Sequence, residues 1–214
     1  AAAQMADTMN GQVLAETVTA TLFGQLFLVR LIALVCMALL LLFWRSGTLM
    51  AVLAAIALAL PAATSHTALA SPAGFAAMGM ILDAAHLLTA GFWIGGLVAL
   101  AALFRRNEPN LVLALSLFSD WAIIAVLILV MTGLIDAASI LLGGKGTPSL
   151  SYLAVLGAKL VLVAAMLWLA AVNRFKWLPR NAEDKIGRNT MRELAMGLFA
   201  VLLAGALGQL QPLL

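Results

Sequence analysis

The chain has 214 residues, of which 64% are hydrophobic and 10% are charged, and its mean hydropathy is +1.11. This composition excludes an ordinary soluble domain, because too few polar residues are present to cover a water-exposed surface. It indicates a membrane protein whose surroundings are the lipid bilayer. The net charge of +3 does not indicate nucleic-acid binding, because the basic residues flank apolar runs instead of forming a polar face. The single Cys36 excludes a disulfide framework within one chain.

Six apolar runs are long enough to span a bilayer, which takes about 20 residues for a hydrocarbon layer of about 30 Å. We therefore predict an all-α, polytopic transmembrane helix bundle of about six spans. Residues 1–20 are expected to form an external N-terminal segment, and residues 21–214 a single transmembrane domain. The predicted helices are 22–43, 49–70, 76–103, 117–142, 151–175 and 190–211, with a polar stretch from Leu178 to Asn189 before the last.

The basic residues fall in alternate loops, which the positive-inside rule assigns to the cytoplasm. Lys145 is the only basic residue in the remaining loops. Both termini and the loops 71–75 and 143–150 are therefore expected outside. The residues that set this orientation are Arg45, Arg105, Arg106, Arg174, Lys176, Arg180, Lys185, Arg188 and Arg192.

Several ionisable side chains lie inside the apolar runs, where they are costly and so indicate function. At roughly 1.5 Å per residue, all of them fall within about 5 to 15 Å of the predicted outer surface. One interpretation is a polar cavity that opens outward between the helices. The other is structural, with Arg30 and Lys159 neutralising Asp83 and Asp136 as buried ion pairs. The layer consists of Arg30, His66, Asp83, His86, Asp136 and Lys159.

The histidines and Asp83 of this layer, together with two nearby methionines, point to metal binding. His66 and His86 are the only histidines of the chain, and imidazole is the commonest metal ligand in proteins. Asp83 and His86 are spaced i, i+3, so the carboxylate can ligate a metal or orient the imidazole. Met78 and Met80 offer thioethers, soft ligands for Cu(I), but their spacing of two lets at most one join a shared site.

The third predicted helix carries further features next to His86. Trp93 lies seven residues beyond it on the same face. Gly91 and Gly95 form a G-x-x-x-G spacing, which favours close approach of another helix. No P-loop, Ser/His/Asp grouping or zinc-protease motif is visible in the sequence, so we do not expect an enzyme.

The segment HLLTAGFWIGGL, from His86 to Leu97, is similar to the histidine, tryptophan and double-glycine signature of the copper resistance protein D family. Further segments resemble family motifs in the same order, and the resemblance extends over about residues 21 to 212. They are TLFGQLFLVR, FSDWAIIAVLILVMTGLIDA, NRFKWLP and RELAMGLFAVLLAGALGQLQP.

The resemblance implies a multi-pass protein of the bacterial inner membrane, with both termini in the periplasm, that transports or handles copper. The copper ion, Cu(I) or Cu(II), would be accepted on the outer side from a periplasmic copper-binding protein. Carried over by position, His66 and His86 become candidate copper ligands, Asp83 an added ligand or orienting group, and Trp93 a packing or gating residue.

Two other functions are compatible with the residues. In a b-type membrane cytochrome, His66 and His86 would hold one haem and pass electrons. The predicted helices place His86 about 9 Å deeper than His66, which strains that geometry. In a non-transporting assembly subunit, the charged layer would dock another membrane protein.

Overall fold

The structure is a computed structural model that describes residues 19–43, 47–64, 73–106, 108–143 and 146–210. The described residues fold mainly into α-helices, as the apolar runs predict. In chain order the helices are α1 (Leu22–Phe43), α2 (Gly47–Ala59), α3 (Ala73–Arg106), α4 (Leu111–Gly143), α5 (Leu150–Val172) and α6 (Glu183–Leu207).

Four helical stretches are long and apolar enough to cross a membrane. They are Ala77–Arg106, Leu111–Leu141, Leu150–Arg180 and Glu183–Leu207. Two shorter apolar stretches, Gly24–Leu40 and Gly47–Ala63, precede them in the described part of the chain. The all-α, polytopic membrane fold is thus confirmed, and four of its helical stretches within the described residues are long and apolar enough to span a bilayer.

The second helix is shorter than the predicted 49–70. It ends at Ala59 and continues as a 3₁₀ segment, Leu60–Thr64. Pro61 accounts for the change, because it has no N–H to donate and its ring clashes with the preceding helical turn.

The last helix begins earlier than predicted. α6 starts at Glu183, so residues 183–189 of the expected polar stretch are helical. Glu183 and Asp184 occupy the first turn, where carboxylates interact favourably with the positive end of the helix dipole. Ile186 is 3% exposed and anchors this turn in an apolar cluster.

The chain divides into two compact units, Ala1–Leu88 and Thr89–Leu214, each described here by itself. In the first unit, α1 packs against α2. In the second unit, α5 packs against α6. One buried cluster of the second unit joins Leu100 of α3, Leu111 and Leu115 of α4, and Ile186 of α6.

That cluster brings together the end of α3 and the starts of α4 and α6, with Trp177 and Leu178 from the segment after α5 packed against it. These four chain segments therefore share one side of the second unit, which we call the basic end. Its basic residues are Arg105, Arg106, Arg174, Lys176, Arg180, Lys185, Arg188 and Arg192.

A π-helical turn, Asn173–Trp177, links α5 to the 3₁₀ segment Leu178–Arg180. The chain then reverses at Asn181, which has a φ of 49°, in the left-handed region that Asn tolerates better than most residues. π-turns within helices are rare and frequently occur at functional sites. This one contributes Asn173 and Arg174 to the polar contacts described next.

Candidate functional site

Asp83 and His86 lie one turn apart on α3, and both are half-buried. An acid and an imidazole thus share one face of a membrane-length apolar helix. Among the described residues, no three His, Cys, Asp or Glu side chains converge on a point that could hold a metal ion. The second predicted imidazole, His66, lies outside the described residues, so the pairing of the two histidines stays a prediction.

The other predicted residues of the first unit differ in exposure. Met78 is 56% exposed, whereas Met80 is half-buried. Arg30 is exposed on α1. Of the two methionines, Met80 is therefore the better placed to take part in a shared site.

Two of the predicted charged residues, Asp136 and Lys159, belong to the second unit. Asp136 on α4 and Lys159 on α5 are both half-buried. The Asp136 carboxylate acts electrostatically on the Lys159 ammonium group and on the hydroxyl of Tyr152, which is 5% exposed. An isolated charge at membrane depth is costly, so we expect Asp136 and Lys159 to neutralise each other.

Trp93 is 2% exposed and packs in a buried cluster with Leu97 and Met166. The glycine of α3 that meets a side chain of another helix is Gly96, the residue after Gly95. A Cβ on Gly95 would meet no atom of the described residues, whereas one on Gly96 would collide with the ring of Phe118 on α4.

A chain of hydrogen bonds connects the basic end with a buried carboxylate. Arg192 donates to Asn189 Oδ1 at 3.5 Å, Asn189 Nδ2 donates to Asn173 Oδ1 at 2.9 Å, and Asn173 Nδ2 donates to Glu193 Oε1 at 2.8 Å. We call these four residues the polar relay. Every donor points toward Glu193, so each hydrogen bond polarises the next in favour of the carboxylate.

Beside the relay, the Arg174 guanidinium joins the π-turn to α4. It donates to Ser119 Oγ at 2.7 Å and to Asp120 Oδ1 at 2.9 Å. Asp120 is 66% exposed, so the ion pair itself is worth little, about 0 to 1 kcal/mol. Its structural effect is to hold Arg174 across the two segments.

The relay borders a cavity of about 230 Å³ within the second unit, which we call the Glu193 cavity. Its walls are mostly apolar side chains of α3, α4, α5 and α6. Trp93 and Leu97 form part of the wall contributed by α3. The polar lining residues are Ser119, Asn173, Arg174, Thr190 and Glu193.

Sequence reasoning did not single out Glu193 or Asn173 as site residues. Glu193 fell inside the predicted span 190–211, and an ionisable residue at membrane depth was available as a signal. Asn173 opens the segment NRFKWLP, which resembles a family motif, but a neutral amide near a helix end is common and did not indicate a contact with Glu193. Its contact with Glu193, 20 residues away in the chain, is set by the packing of α5 against α6.

Comparison with known proteins agrees with the sequence resemblance. Residues 1–74 match the family model for a copper resistance protein D-like N-terminal domain, and residues 112–207 match the model for copper resistance protein D. The chain belongs to the copper resistance protein D family. The second match covers α4, α5 and α6 and so includes Asn173, Asn189 and Glu193.

A curated relative is the copper transport protein CutJ of Bacillus subtilis (strain 168), which is 31% identical over 134 residues. The aligned region covers 60% of this chain and 24% of that protein, so the chain spans about a quarter of the relative's length. No solved structure matches the chain.

Proposed function

We propose that this protein binds copper at α3 and transports or handles it across the bacterial inner membrane. Membership of the copper resistance protein D family and the likeness to a copper transport protein support copper as the substrate. The observation that carries the proposal is the Asp83 and His86 pair, half-buried and one turn apart in an apolar span. A carboxylate and an imidazole are both metal ligands, and their i, i+3 spacing lets them act on one ion.

In this proposal the His86 imidazole supplies a nitrogen ligand to copper. Asp83 either ligates the ion or accepts the second N–H of the imidazole, which fixes the ring and raises its basicity. Two ligands do not complete a site, so further donors are needed. His66 provides the other imidazole of the chain, and Met80 the better buried of the two candidate thioethers.

We further propose that the basic end faces the cytoplasm, which places both termini in the periplasm. The gathering of eight Lys and Arg residues on one side of the second unit supports this orientation. Copper would then enter on the opposite side, delivered by a periplasmic copper-binding protein.

Metal analysis of detergent-purified protein tests the proposal. We expect copper to co-purify with or titrate into the wild type, and His86→Ala to reduce its affinity by at least about 10 to 100-fold, the usual cost of losing even an orienting partner. Asp120→Asn is a matched carboxylate control, since Asp120 is exposed and pairs with Arg174. If folded His86→Ala binds copper like the wild type, the site is wrong. Visible haem absorbance in the same preparation would favour the cytochrome alternative.

A further inference from the structure

Glu193 is a buried acid that the proposed copper site does not use. It is 2% exposed and lies ten residues into α6, about 15 Å from the first residue of the helix. Among the described residues, no Lys or Arg nitrogen lies within 4.0 Å of its carboxylate. The charge at this depth is therefore not neutralised by an ion pair, although an unpaired buried carboxylate is costly.

The polar relay reaches the Glu193 carboxylate through a single hydrogen bond. Oε1 accepts the hydrogen bond from Asn173, the last step of the polar relay. Neutral amides stabilise a carboxylate but do not remove its charge. The relay thus holds Glu193 in place and connects it to Arg192 through two intervening side chains, while Oε2 takes no part in the relay.

The charged groups on the packed helices do not compete for this carboxylate. Arg174 lines the same cavity, but its guanidinium is engaged by Ser119 and Asp120. The residues that α3 contributes to the cavity are apolar, Trp93, Leu97 and Leu100. Glu193 is the acidic residue and Arg174 the basic residue of the cavity lining, and the Arg174 guanidinium already binds Ser119 and Asp120.

A hard metal ion, a copper ion or a proton can neutralise such a group. Hard ions such as Mg²⁺ and Ca²⁺ take about six to eight oxygen ligands, more than the few oxygen-bearing side chains of this lining supply. Cu(I) prefers thiolate and thioether ligands, and Cu(II) prefers sites that combine nitrogen with oxygen. The polar lining of the cavity, as the described residues form it, offers hydroxyl, amide and carboxylate oxygens and no imidazole or sulfur. A proton needs one acceptor oxygen and no coordination shell. The chemistry of the lining therefore favours a proton.

We propose that Glu193 is an exchangeable proton site of the Glu193 cavity. A proton from water binds the carboxylate to give the neutral acid, and its release returns the carboxylate that the relay stabilises. This proposal does not rest on the copper site, because it uses residues of the second unit alone.

Labelling with dicyclohexylcarbodiimide tests it, because this apolar reagent reacts with protonated carboxyl groups in apolar surroundings. Mass spectrometry of the full chain in detergent, across a pH series, should show a modified Glu193 whose labelling falls by about tenfold per pH unit once the carboxylate form dominates. Glu193→Gln should abolish that signal and keep the hydrogen bond from Asn173, because the Gln carbonyl is also an acceptor. The exposed Glu183 on the same helix is the control, with Glu183→Gln leaving the Glu193 signal unchanged.

Infrared difference spectroscopy gives a second readout that needs no reagent to enter the cavity. A pH-dependent carboxylic C=O band should be present in the wild type and lost in Glu193→Gln. A Glu193 that is unlabelled at every pH at which the protein is folded, with no C=O band lost in the variant, overturns the proposal. A wild-type protein that is labelled at Glu193 but binds no copper contradicts only the proposed copper site. A wild-type protein that binds copper but shows neither labelling nor the C=O band contradicts only the proton site.

Discussion

Asn173 and Glu193 are 20 residues apart in the chain, yet the amide Nδ2 of Asn173 lies 2.8 Å from the Oε1 of Glu193. Asn173 also accepts from Asn189 at 2.9 Å, so one side chain of the π-turn satisfies two groups of α6. Removing the Asn173 side chain leaves the Asn189 Nδ2 donor and the Glu193 Oε1 acceptor without these partners in a buried region. The effect on stability should therefore exceed that of an ordinary surface hydrogen bond.

We expect Asn173→Ala to lower the free energy of unfolding by about 1 to 3 kcal/mol, the cost of leaving buried polar groups unsatisfied. Thermal or denaturant unfolding in detergent measures it. Gln209→Ala, at an exposed position beyond α6, is the control and should change little. In a double-mutant cycle with Asn189→Ala the two effects should not add, because the residues share one network. Full additivity would contradict the relay.

The adjacent glycines of α3 provide a matched pair. Gly96→Ala should destabilise the protein by about 1 to 3 kcal/mol, because the new methyl group collides with the Phe118 ring. That ring also stacks on Phe92, with centroids 5.9 Å apart, so moving it disturbs a second contact. Gly95→Ala meets open space and should leave stability unchanged or raise it by up to about 1 kcal/mol. Equal effects of the two substitutions on the unfolding midpoint would argue against the α3 and α4 packing.

The contacts of Arg174 predict that replacing Arg174 lowers stability more than replacing its partner Asp120. Asp120→Ala removes an exposed partner and should cost at most about 1 kcal/mol. Arg174→Ala removes both that pair and the bond to Ser119, and also a side chain lining the Glu193 cavity, so its unfolding midpoint should fall further. Salt should weaken the Asp120 contribution, because exposed pairs are screened. A larger loss in Asp120→Ala than in Arg174→Ala would refute this ranking.

The proposed orientation can be tested by cysteine labelling in intact cells. In a Cys36→Ala background, Asn181→Cys at the basic end should resist a membrane-impermeant thiol reagent until the cells are opened. Thr147→Cys, in the turn between α4 and α5, should react from outside. Both positions are exposed, so reactivity reports the side of the membrane rather than burial. The opposite pattern would invert the topology and move the proposed copper entry to the cytoplasm.

Within the copper proposal, His86→Ala should impair copper binding and copper-dependent growth more than His66→Ala, because His86 shares a helical face with Asp83. Asp83→Asn should be milder if the carboxylate only orients the imidazole, and comparable if it binds the ion. Trp93→Phe should affect transport more than binding, since Trp93 is buried against Leu97 and Met166. A purified His66→Ala protein that loses more copper than His86→Ala would reverse the assignment.

The sequence was sufficient for the membrane class, the family and the approximate positions of the helices. These follow from local properties: the bilayer demands long apolar runs, and basic residues mark where they end. Helix ends were less predictable. α2 ends earlier than predicted because Pro61 has no backbone N–H to donate. α6 begins earlier than predicted because Ile186 is buried in a cluster whose other members come from α3 and α4.

Tertiary structure alone decided which polar side chains meet. Asp83 and His86 were predictable as neighbours because helical periodicity fixes them within one turn. The relay from Arg192 to Glu193 was not, because it depends on how the π-turn after α5 lies against α6. Likewise, the sequence spacing singled out Gly91 and Gly95, and only the packing shows that Gly96 lies against the Phe118 ring. Such contacts depend on the rotation and offset of one helix against another, which no single helix encodes.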